Sequence, residues 1–174
     1  MVEVLVTIVI LTFGLLGMAG LQARLQMSQM EAYQRAQGLM FLEDMANRIS
    51  ANRNNAVNYV TGTSSPLGTG NTCTYTSSST RQVQDSCEWS ETLKGAAELS
   101  GSTKVGAFIG GRGCVESLGN GEYMVTVAWQ GTSALTAPPS SVACGVNQYD
   151  GTNCANDVCR RVLTTVVRVA NLSS

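Results

Sequence analysis

The fold of this chain is decided by the stretch EVLVTIVILTFGLLGMAGLQA, which runs from Glu3 to Ala23. A single carboxylate stands at its start, and the residues from Val4 to Ala23 carry no charge. A helix of about 20 residues rises ~30 Å, roughly the hydrocarbon thickness of a bilayer. The sequence therefore predicts a membrane-spanning helix over residues 1–23. A secretory signal peptide is the alternative, but it has a basic start and a shorter apolar centre.

The overall composition limits the class of protein further. The chain has 174 residues, a formal net charge of -1 and a pI of about 5.4. Its basic residues are scattered and form no patch that would neutralise phosphates, so nucleic acid is not expected as a partner. Residues 24–174 are enough for one further domain with its own hydrophobic core.

Six cysteines follow the apolar stretch, as expected for a domain that meets an oxidising compartment. Their even number favours disulfides, and the lack of histidine and of a Cys-x-x-Cys pair disfavours a metal site. The sequence alone leaves the pairing open. A Cys73–Cys87 bridge would close a loop of about 15 residues, worth ~3 kcal/mol in the chain-entropy model. The disulfide candidates are Cys73, Cys87, Cys114, Cys144, Cys154 and Cys159. No metal ion and no cofactor is expected.

Helical periodicity continues past Arg24, so the first helix is predicted to extend to about residue 55. Apolar or small residues recur in steps of three and four, which places them on one face of a helix. Asp44 and Arg48 are spaced i to i+4 in the order that supports a helix, as are Glu31 and Arg35. The predicted apolar face consists of Leu21, Leu25, Ser28, Ala32, Ala36, Leu39, Leu42, Ala46 and Ile49.

Three glycines, Gly14, Gly17 and Gly20, recur at every third position of the apolar stretch. Small residues on one side of a membrane helix permit close approach of another helix. Glycine also costs ~1 kcal/mol relative to alanine in a helix interior, so these positions are candidates for a bend or an unwound segment. Ordinary tolerance of glycine in membrane helices is a third interpretation. The sequence leaves all three open.

The middle of the chain predicts a loop and a second helix. Residues 61–81 are rich in Thr, Ser and Gly and have little apolar periodicity, which indicates a surface loop. Asp85 and Glu88 resemble a capping box, which predicts a short helix over residues 86–99. Gly101 is expected to end this helix.

Beyond Lys104 the apolar pattern changes to a period of two, which predicts a small antiparallel sheet over residues 105–170. Gly110 to Gly113 is interpreted as part of a hairpin turn rather than an anion cradle, because no lysine and no helix follow it. The predicted strands are 105–109, 112–118, 122–130 and 158–170, and in the third of these Tyr123, Val125, Val127 and Trp129 share one face. The fold class is therefore α+β.

Catalysis has little support in the sequence. The absence of histidine excludes histidine-based triads, and neither a phosphate-binding glycine motif nor a paired-carboxylate signature is present. Trp89 and Trp129 are expected to pack in the core rather than bind a ligand. The protein is not expected to be an enzyme.

The sequence from Glu3 through FGLLG, at Phe13 to Gly17, resembles the N-terminal helix of type IV pilins and pseudopilins. More narrowly, it is similar to the minor pilins of the PilV kind. Later features that fit the same group are Trp89 with Leu93 on the second helix, Gly113 and Cys114 before a hairpin, YMVTVAWQ from Tyr123 to Gln130, and RRVLTTVVR from Arg160 to Arg168.

The resemblance implies the pilin fold, in which a long membrane-spanning helix packs on a small antiparallel sheet. It implies that Glu3 pairs with the N-terminal amine of a neighbouring subunit, rather than resting at the membrane interface. The expected function is that of a minor pilin, which primes type IV pilus assembly and lies at or near the filament tip. The expected partners are other minor pilins and the major pilin through the N-terminal helix, the inner-membrane assembly machinery and the prepilin peptidase. The expected location is the bacterial inner membrane, with the domain in the periplasm, and then the pilus.

Two other functions fit the anchor. A pseudopilin of a type II secretion system would have a similar N-terminal helix, whereas a membrane-tethered periplasmic binding domain would not need Glu3. Pilin precursors carry a short basic leader that ends in glycine, followed by a few residues before the glutamate. Because Met1 stands only two residues before Glu3, the resemblance implies that the leader and about two mature residues are missing from this sequence.

Overall fold

A computed structural model describes residues 2–95, 99–100, 103–104 and 108–170. The chain forms two compact units, Met1–Tyr33 and Gln34–Ser174. The two helices are α1 (Val2–Ala51) and α2 (Arg81–Leu93), and the strands are β1 (Leu67–Gly68), β2 (Leu99–Ser100), β3 (Thr103–Lys104), β4 (Arg112–Gly119), β5 (Glu122–Gln130) and β6 (Arg160–Arg168). Short 3-10 helices occupy Arg53–Tyr59 and Ala155–Asp157.

The long first helix is confirmed, and it runs without a break from Val2 to Ala51. It ends slightly before the predicted limit near residue 55, where the chain changes to the 3-10 helix Arg53–Tyr59. In the first unit, the described residues all belong to the first part of this helix. The predicted boundary at residues 23 and 24 marks the end of the apolar stretch, whereas the second compact unit begins farther along, at Gln34.

The second unit is built on a four-stranded antiparallel sheet with the order β1-β4-β5-β6. Strand β5 has the predicted bounds, and it pairs with β4 on one side and with β6 on the other. Val125 lies opposite Val115 in the first pairing and opposite Thr165 in the second. The coarse prediction of an α+β fold, with a long helix on an antiparallel sheet, is confirmed.

The main core lies between one face of this sheet and the two helices. The side chains of β5 that were predicted to share a face are all buried in this core, together with both tryptophans. The core consists of Leu42, Met45, Ile49, Ala56, Tyr59, Leu67, Trp89, Leu93, Phe108, Val115, Tyr123, Val125, Val127, Trp129 and Val167. A smaller cluster, Cys114, Ala128, Cys144 and Tyr149, lies apart from it. Both faces of β5 therefore carry fully buried side chains.

The predicted apolar face of α1 coincides with the buried positions only near the end of the helix. Leu42 and Ile49 are buried, but Ala32, Ala36 and Leu39 are exposed. The buried positions of α1 are Gln34, Gln37, Gly38, Leu42, Met45 and Ile49. Polar side chains at the first two positions hid this face from a search for apolar periodicity.

The second helix begins earlier than predicted, at Arg81 rather than residue 86. Its N-cap is Thr80, whose hydroxyl accepts a hydrogen bond from the backbone N–H of Val83 at 3.4 Å. The capping box assigned to Asp85 and Glu88 is therefore wrong. The helix ends at Leu93, and Gly95 follows with a φ of 84°, the left-handed conformation that glycine adopts at helix ends. The predicted stop at Gly101 lies outside the described residues.

Two predicted loop and strand assignments also change. The loop over residues 61–81 contains β1, which pairs with the start of β4. The strand predicted at 105–109 is wrong at its end, because Ile109 and Gly110 lie in a turn. Gly110 has a φ of 65°, and its carbonyl accepts a hydrogen bond from the Tyr149 hydroxyl at 2.9 Å. Residues 105–107 lie outside the described part of the chain.

All six cysteines are paired, which confirms the prediction of three disulfides. The bridges join Cys73 to Cys87, Cys114 to Cys144, and Cys154 to Cys159. Their sulfurs are therefore not available as thiolate metal ligands. The second bridge spans 30 positions and ties the loop around Cys144 to strand β4.

Candidate functional site

The first half of α1 presents an apolar surface that the described residues do not cover. The helix is long and apolar enough to cross a membrane, and none of its most apolar segment is buried. Large side chains such as Ile10, Phe13 and Leu16 are each more than 60 % exposed. Apolar surface of this extent marks a membrane or protein contact.

The two threonine hydroxyls within this stretch are hydrogen-bonded to backbone carbonyls of the same helix. The Thr7 hydroxyl donates to the Val4 carbonyl at 2.9 Å, and the Thr12 hydroxyl donates to the Val9 carbonyl at 2.8 Å. Beyond the first turn, helical backbone bonds satisfy the main-chain groups, as hydrocarbon requires. Both threonine hydroxyls of the stretch are therefore paired within the helix and need no outside partner.

Glu3 lies in the first turn of α1 and is exposed. A carboxylate in this position is favoured by the partial positive charge at a helix N-terminus. Within residues 2–95 and the other described segments, Glu3 has no hydrogen bond or ion pair. The Glu3 carboxylate is thus available to a group outside the described residues.

The three predicted glycines lie on the continuous part of α1, and the helix does not break at any of them. Apart from the two chain neighbours and the nearby backbone of the same helix, no atom lies within 4 Å of where a Cβ would stand on Gly14, Gly17 or Gly20. The described chain therefore makes no use of the space these glycines leave. The described contacts give no reason within the chain for glycine at these three positions. Close packing against another helix stays a prediction.

The second half of α1 contrasts with the first, because specific contacts hold it to the sheet. The Trp129 indole N–H donates to Gln34 Oε1 at 3.2 Å, and the Trp89 indole N–H donates to the Phe41 carbonyl at 2.9 Å. Gly38 faces Leu163 and Trp129, and an added Cβ would stand 2.9 Å from Leu163 Cδ1. These contacts fix where the domain begins on the helix.

An ionic cluster fixes the end of α1 against α2. Arg48 donates to Asp44 Oδ1 at 2.9 Å, to Asp85 Oδ1 at 3.0 Å and to Glu88 Oε2 at 2.7 Å. Burial on its own lowers the pKa of Arg48, but the hydrogen bonds to Glu88 and Asp44 outweigh it and the pKa is raised. Asp85 also pairs with Arg81 at 3.0 Å. The guanidinium therefore stays charged and links the two helices.

Tyr59 completes this cluster from the 3-10 helix after α1. Its hydroxyl donates to Asp85 Oδ2 and accepts from Asn52 Nδ2. Burial and the hydrogen bond to Asp85 raise the pKa of Tyr59 to about 12. Sequence reasoning found the pair of Asp44 and Arg48 but missed the rest, because helical spacing shows neighbours along one helix and not across two.

The described residues contain no group of three or more His, Cys, Asp or Glu side chains that could hold a metal ion. The chain matches no protein-family profile, no curated protein and no solved structure in the comparisons made. Any functional assignment therefore depends on the residues and geometry of this chain.

Proposed function

We propose that this protein is a minor pilin that primes assembly of a type IV pilus and lies at or near the filament tip. The observation that carries the proposal is the continuous helix Val2–Ala51, whose first half is exposed and apolar and begins with an acidic residue. Such a helix needs a partner outside its own domain, and a filament subunit has two. The bilayer covers it before assembly, and neighbouring subunit helices cover it afterwards.

The proposal gives Glu3 a specific role. An acidic residue at membrane depth costs ~2.5–3.5 kcal/mol near the bilayer centre and usually has a partner. The N-terminal amine of a neighbouring subunit would neutralise this charge and set the axial register between subunits. Gly14, Gly17 and Gly20 would let another helix approach closely, because nothing in the described chain fills that side.

The proposal gives the domain a place outside the cytoplasm. Three disulfides suit an oxidising compartment, which for a pilin is the periplasm before assembly and the cell surface afterwards. The proposed partners are the major pilin and other minor pilins through α1, the inner-membrane assembly machinery and the prepilin peptidase. The proposed role requires no catalysis.

The test replaces Glu3 with alanine in a gene that carries a pilin leader. Loss of one charge makes membrane insertion easier, so Glu3→Ala should reach the inner membrane in normal amount and fold normally. It should be depleted from the sheared filament fraction, and pilus number should fall, because a missing primer affects initiation. Immunoblots of both fractions and pilus counts by electron microscopy measure these results.

Glu43→Ala is the matched control, since Glu43 is an exposed carboxylate on the same helix but within the second unit. It should enter filaments as the unchanged protein does. Equal amounts of Glu3→Ala and Glu43→Ala in sheared pili, with normal piliation, would contradict the assembly role. Normal piliation with a loss of protein secretion would identify a secretion pseudopilin instead. No effect on either process would favour a membrane-tethered binding domain.

A further inference from the structure

The second unit contains an open groove of ≈ 880 Å³ that the assembly role does not use. One wall is the loop around β1, with Ser64 and Asn71, and the other includes Ser140 and Gln148. Arg112 and Arg160 also line it. A groove of this size suits a ligand of one or two sugar units, since binding sites for small molecules measure ~300–1,000 Å³.

The walls of the groove are fixed by covalent and buried contacts. The Cys114–Cys144 disulfide ties one wall to β4. Arg160 is 2 % exposed, and its Nη1 donates to the carbonyls of Val142 at 2.7 Å and Cys144 at 3.1 Å. A buried guanidinium that holds backbone carbonyls keeps the wall in one position. The groove is therefore formed before any ligand arrives, which lowers the entropic cost of binding.

The charges of the groove do not cancel. Its charged lining residues are Arg112, Arg160 and one carboxylate, Asp157. Asp157 is already engaged, because its Oδ2 lies 3.3 Å from Arg160 Nε and its Oδ1 accepts from the Asn147 backbone N–H at 2.8 Å. Pairing of Asp157 with Arg160 leaves the groove with the charge of one guanidinium.

That guanidinium belongs to Arg112, and its contacts are all with neutral groups. Nη1 donates to the Gly110 carbonyl at 3.2 Å, Nη2 donates to Gln148 Oε1 at 3.3 Å, and Cζ lies 5.2 Å from the centre of the Tyr149 ring. These contacts orient the side chain without neutralising it. A half-buried, oriented guanidinium is suited to bind a carboxylate through paired hydrogen bonds.

The uncharged lining defines the rest of the ligand. Hydroxyl and amide side chains stand on both walls, and the apolar lining is limited to proline, alanine and valine. Such walls offer many hydrogen bonds to ligand hydroxyl groups but no deep apolar pocket for a peptide side chain. We propose that the groove binds a small acidic saccharide, whose carboxylate pairs with Arg112 and whose hydroxyl groups bond to the polar walls.

The test measures binding of digalacturonic acid to the full chain in detergent micelles by isothermal titration calorimetry. We expect saturable binding of digalacturonic acid and at least ~10-fold weaker binding of neutral digalactose, because a charge-assisted hydrogen bond is lost. Arg112→Gln should weaken binding of the acid by a similar factor. Arg168→Gln is the matched control, since Arg168 is exposed and does not line the groove, and it should bind as the unchanged chain does.

A second variant keeps the test decisive if Arg112→Gln fails to fold. Asn71→Asp adds a negative charge to the groove lining and should weaken binding of the acid by a larger factor than it weakens binding of digalactose. Intact mass under non-reducing conditions checks that each variant retains three disulfides. The proposal does not depend on the proposed pilus role, since the measurement requires no filament.

Three outcomes would overturn the proposal. The first is the absence of saturable binding at millimolar digalacturonic acid. The second is equal binding of digalactose, or equal binding by Arg112→Gln in a folded chain. The third is binding of the dipeptide Glu-Glu, or of inorganic phosphate, as tight as that of the acidic disaccharide, which would show a general anion site.

Discussion

The two halves of helix α1 have similar regular backbones but opposite surroundings. From Gln34 onward, the helix contributes Gln34, Gly38, Met45 and Ile49 to the interior of the second unit. Before that residue, its large apolar side chains are exposed. The difference teaches that helix formation and burial are separate properties, since the described residues bury only the second half.

Two glycines, one in the second unit and one in the first half of α1, show the same difference in surroundings. Gly113 lies against the Trp89 ring, and an added Cβ would overlap that ring and approach Leu93 Cδ1 at 2.8 Å. A Cβ added to Gly17 would have no atom within 4 Å apart from its chain neighbours and the nearby helix backbone. Internal packing therefore requires glycine at position 113, whereas the described residues show no such requirement at Gly17.

The largest expected effect on stability is that of Gly113→Ala, and Gly17→Ala is its counterpart in the first half of α1. Gly113→Ala should lower the free energy of unfolding by about 3 kcal/mol, because the Trp89 ring must move within a packed core. Gly17→Ala should leave domain stability unchanged, although alanine favours a helix. Denaturant unfolding followed by tryptophan fluorescence measures both. Equal loss of stability in the two variants would contradict the distinction between internal and external packing.

The ionic cluster allows a second comparison, between one buried and one exposed partner of Arg48. The Asp85 side chain is 2 % exposed and that of Asp44 is 38 % exposed. Asp85→Ala should cost about 3 kcal/mol, because it removes the buried acceptor of the Tyr59 hydroxyl and a buried partner of the Arg48 guanidinium. Asp44→Ala should cost less than about 1 kcal/mol, as exposed ion pairs do. The two unfolding free energies check this order, and equal costs would show that Asp85 does not anchor α1.

Alkaline pH provides a smaller and more specific effect. Because the pKa of Tyr59 is about 12 in the folded chain and ~10 in an unfolded one, the unfolded state loses this proton first. The stabilisation is therefore complete below pH ~10 and is lost as pH rises through about 12. The stability difference between the unchanged chain and Tyr59→Phe should narrow over this interval.

Tyr75→Phe is the control for this pH effect, because Tyr75 is 46 % exposed. Unfolding free energies at several pH values from neutral to alkaline give the comparison. A constant difference between the unchanged chain and Tyr59→Phe would show that the bond to Asp85 does not control the Tyr59 proton.

The sequence predicted the elements whose residues follow a simple period. Strand β5 was predicted with its observed bounds, because Tyr123, Val125, Val127 and Trp129 alternate clearly and glycines precede it. The long α1 was predicted because neither proline nor polar clusters interrupt it before residue 52. The even number of cysteines predicted that all of them are paired. Which cysteines pair with each other depends on distances that only the folded chain defines.

Other features depend on contacts between distant segments, and the sequence did not show them. Gln34 and Gln37 are buried on α1 because indole and backbone groups of the domain surround them, which apolar periodicity cannot reveal. Thr80 is the N-cap of α2, and Asp85 lies inside the helix, where it pairs with Arg48. The sequence also predicted that Glu3 and the three glycines lie on one continuous helix, and their role in assembly stays a prediction.

The most direct test of the account removes the first half of α1. A chain that begins at residue 24, exported to an oxidising compartment, should be soluble without detergent, contain three disulfides and unfold with the same free energy as the full chain. This result is expected because the buried contacts of α1 begin at Gln34. Detergent partitioning and denaturant unfolding measure it. Partitioning of the shortened chain into detergent, or a loss of several kcal/mol of stability, would contradict the claim that the apolar half serves partners outside the domain.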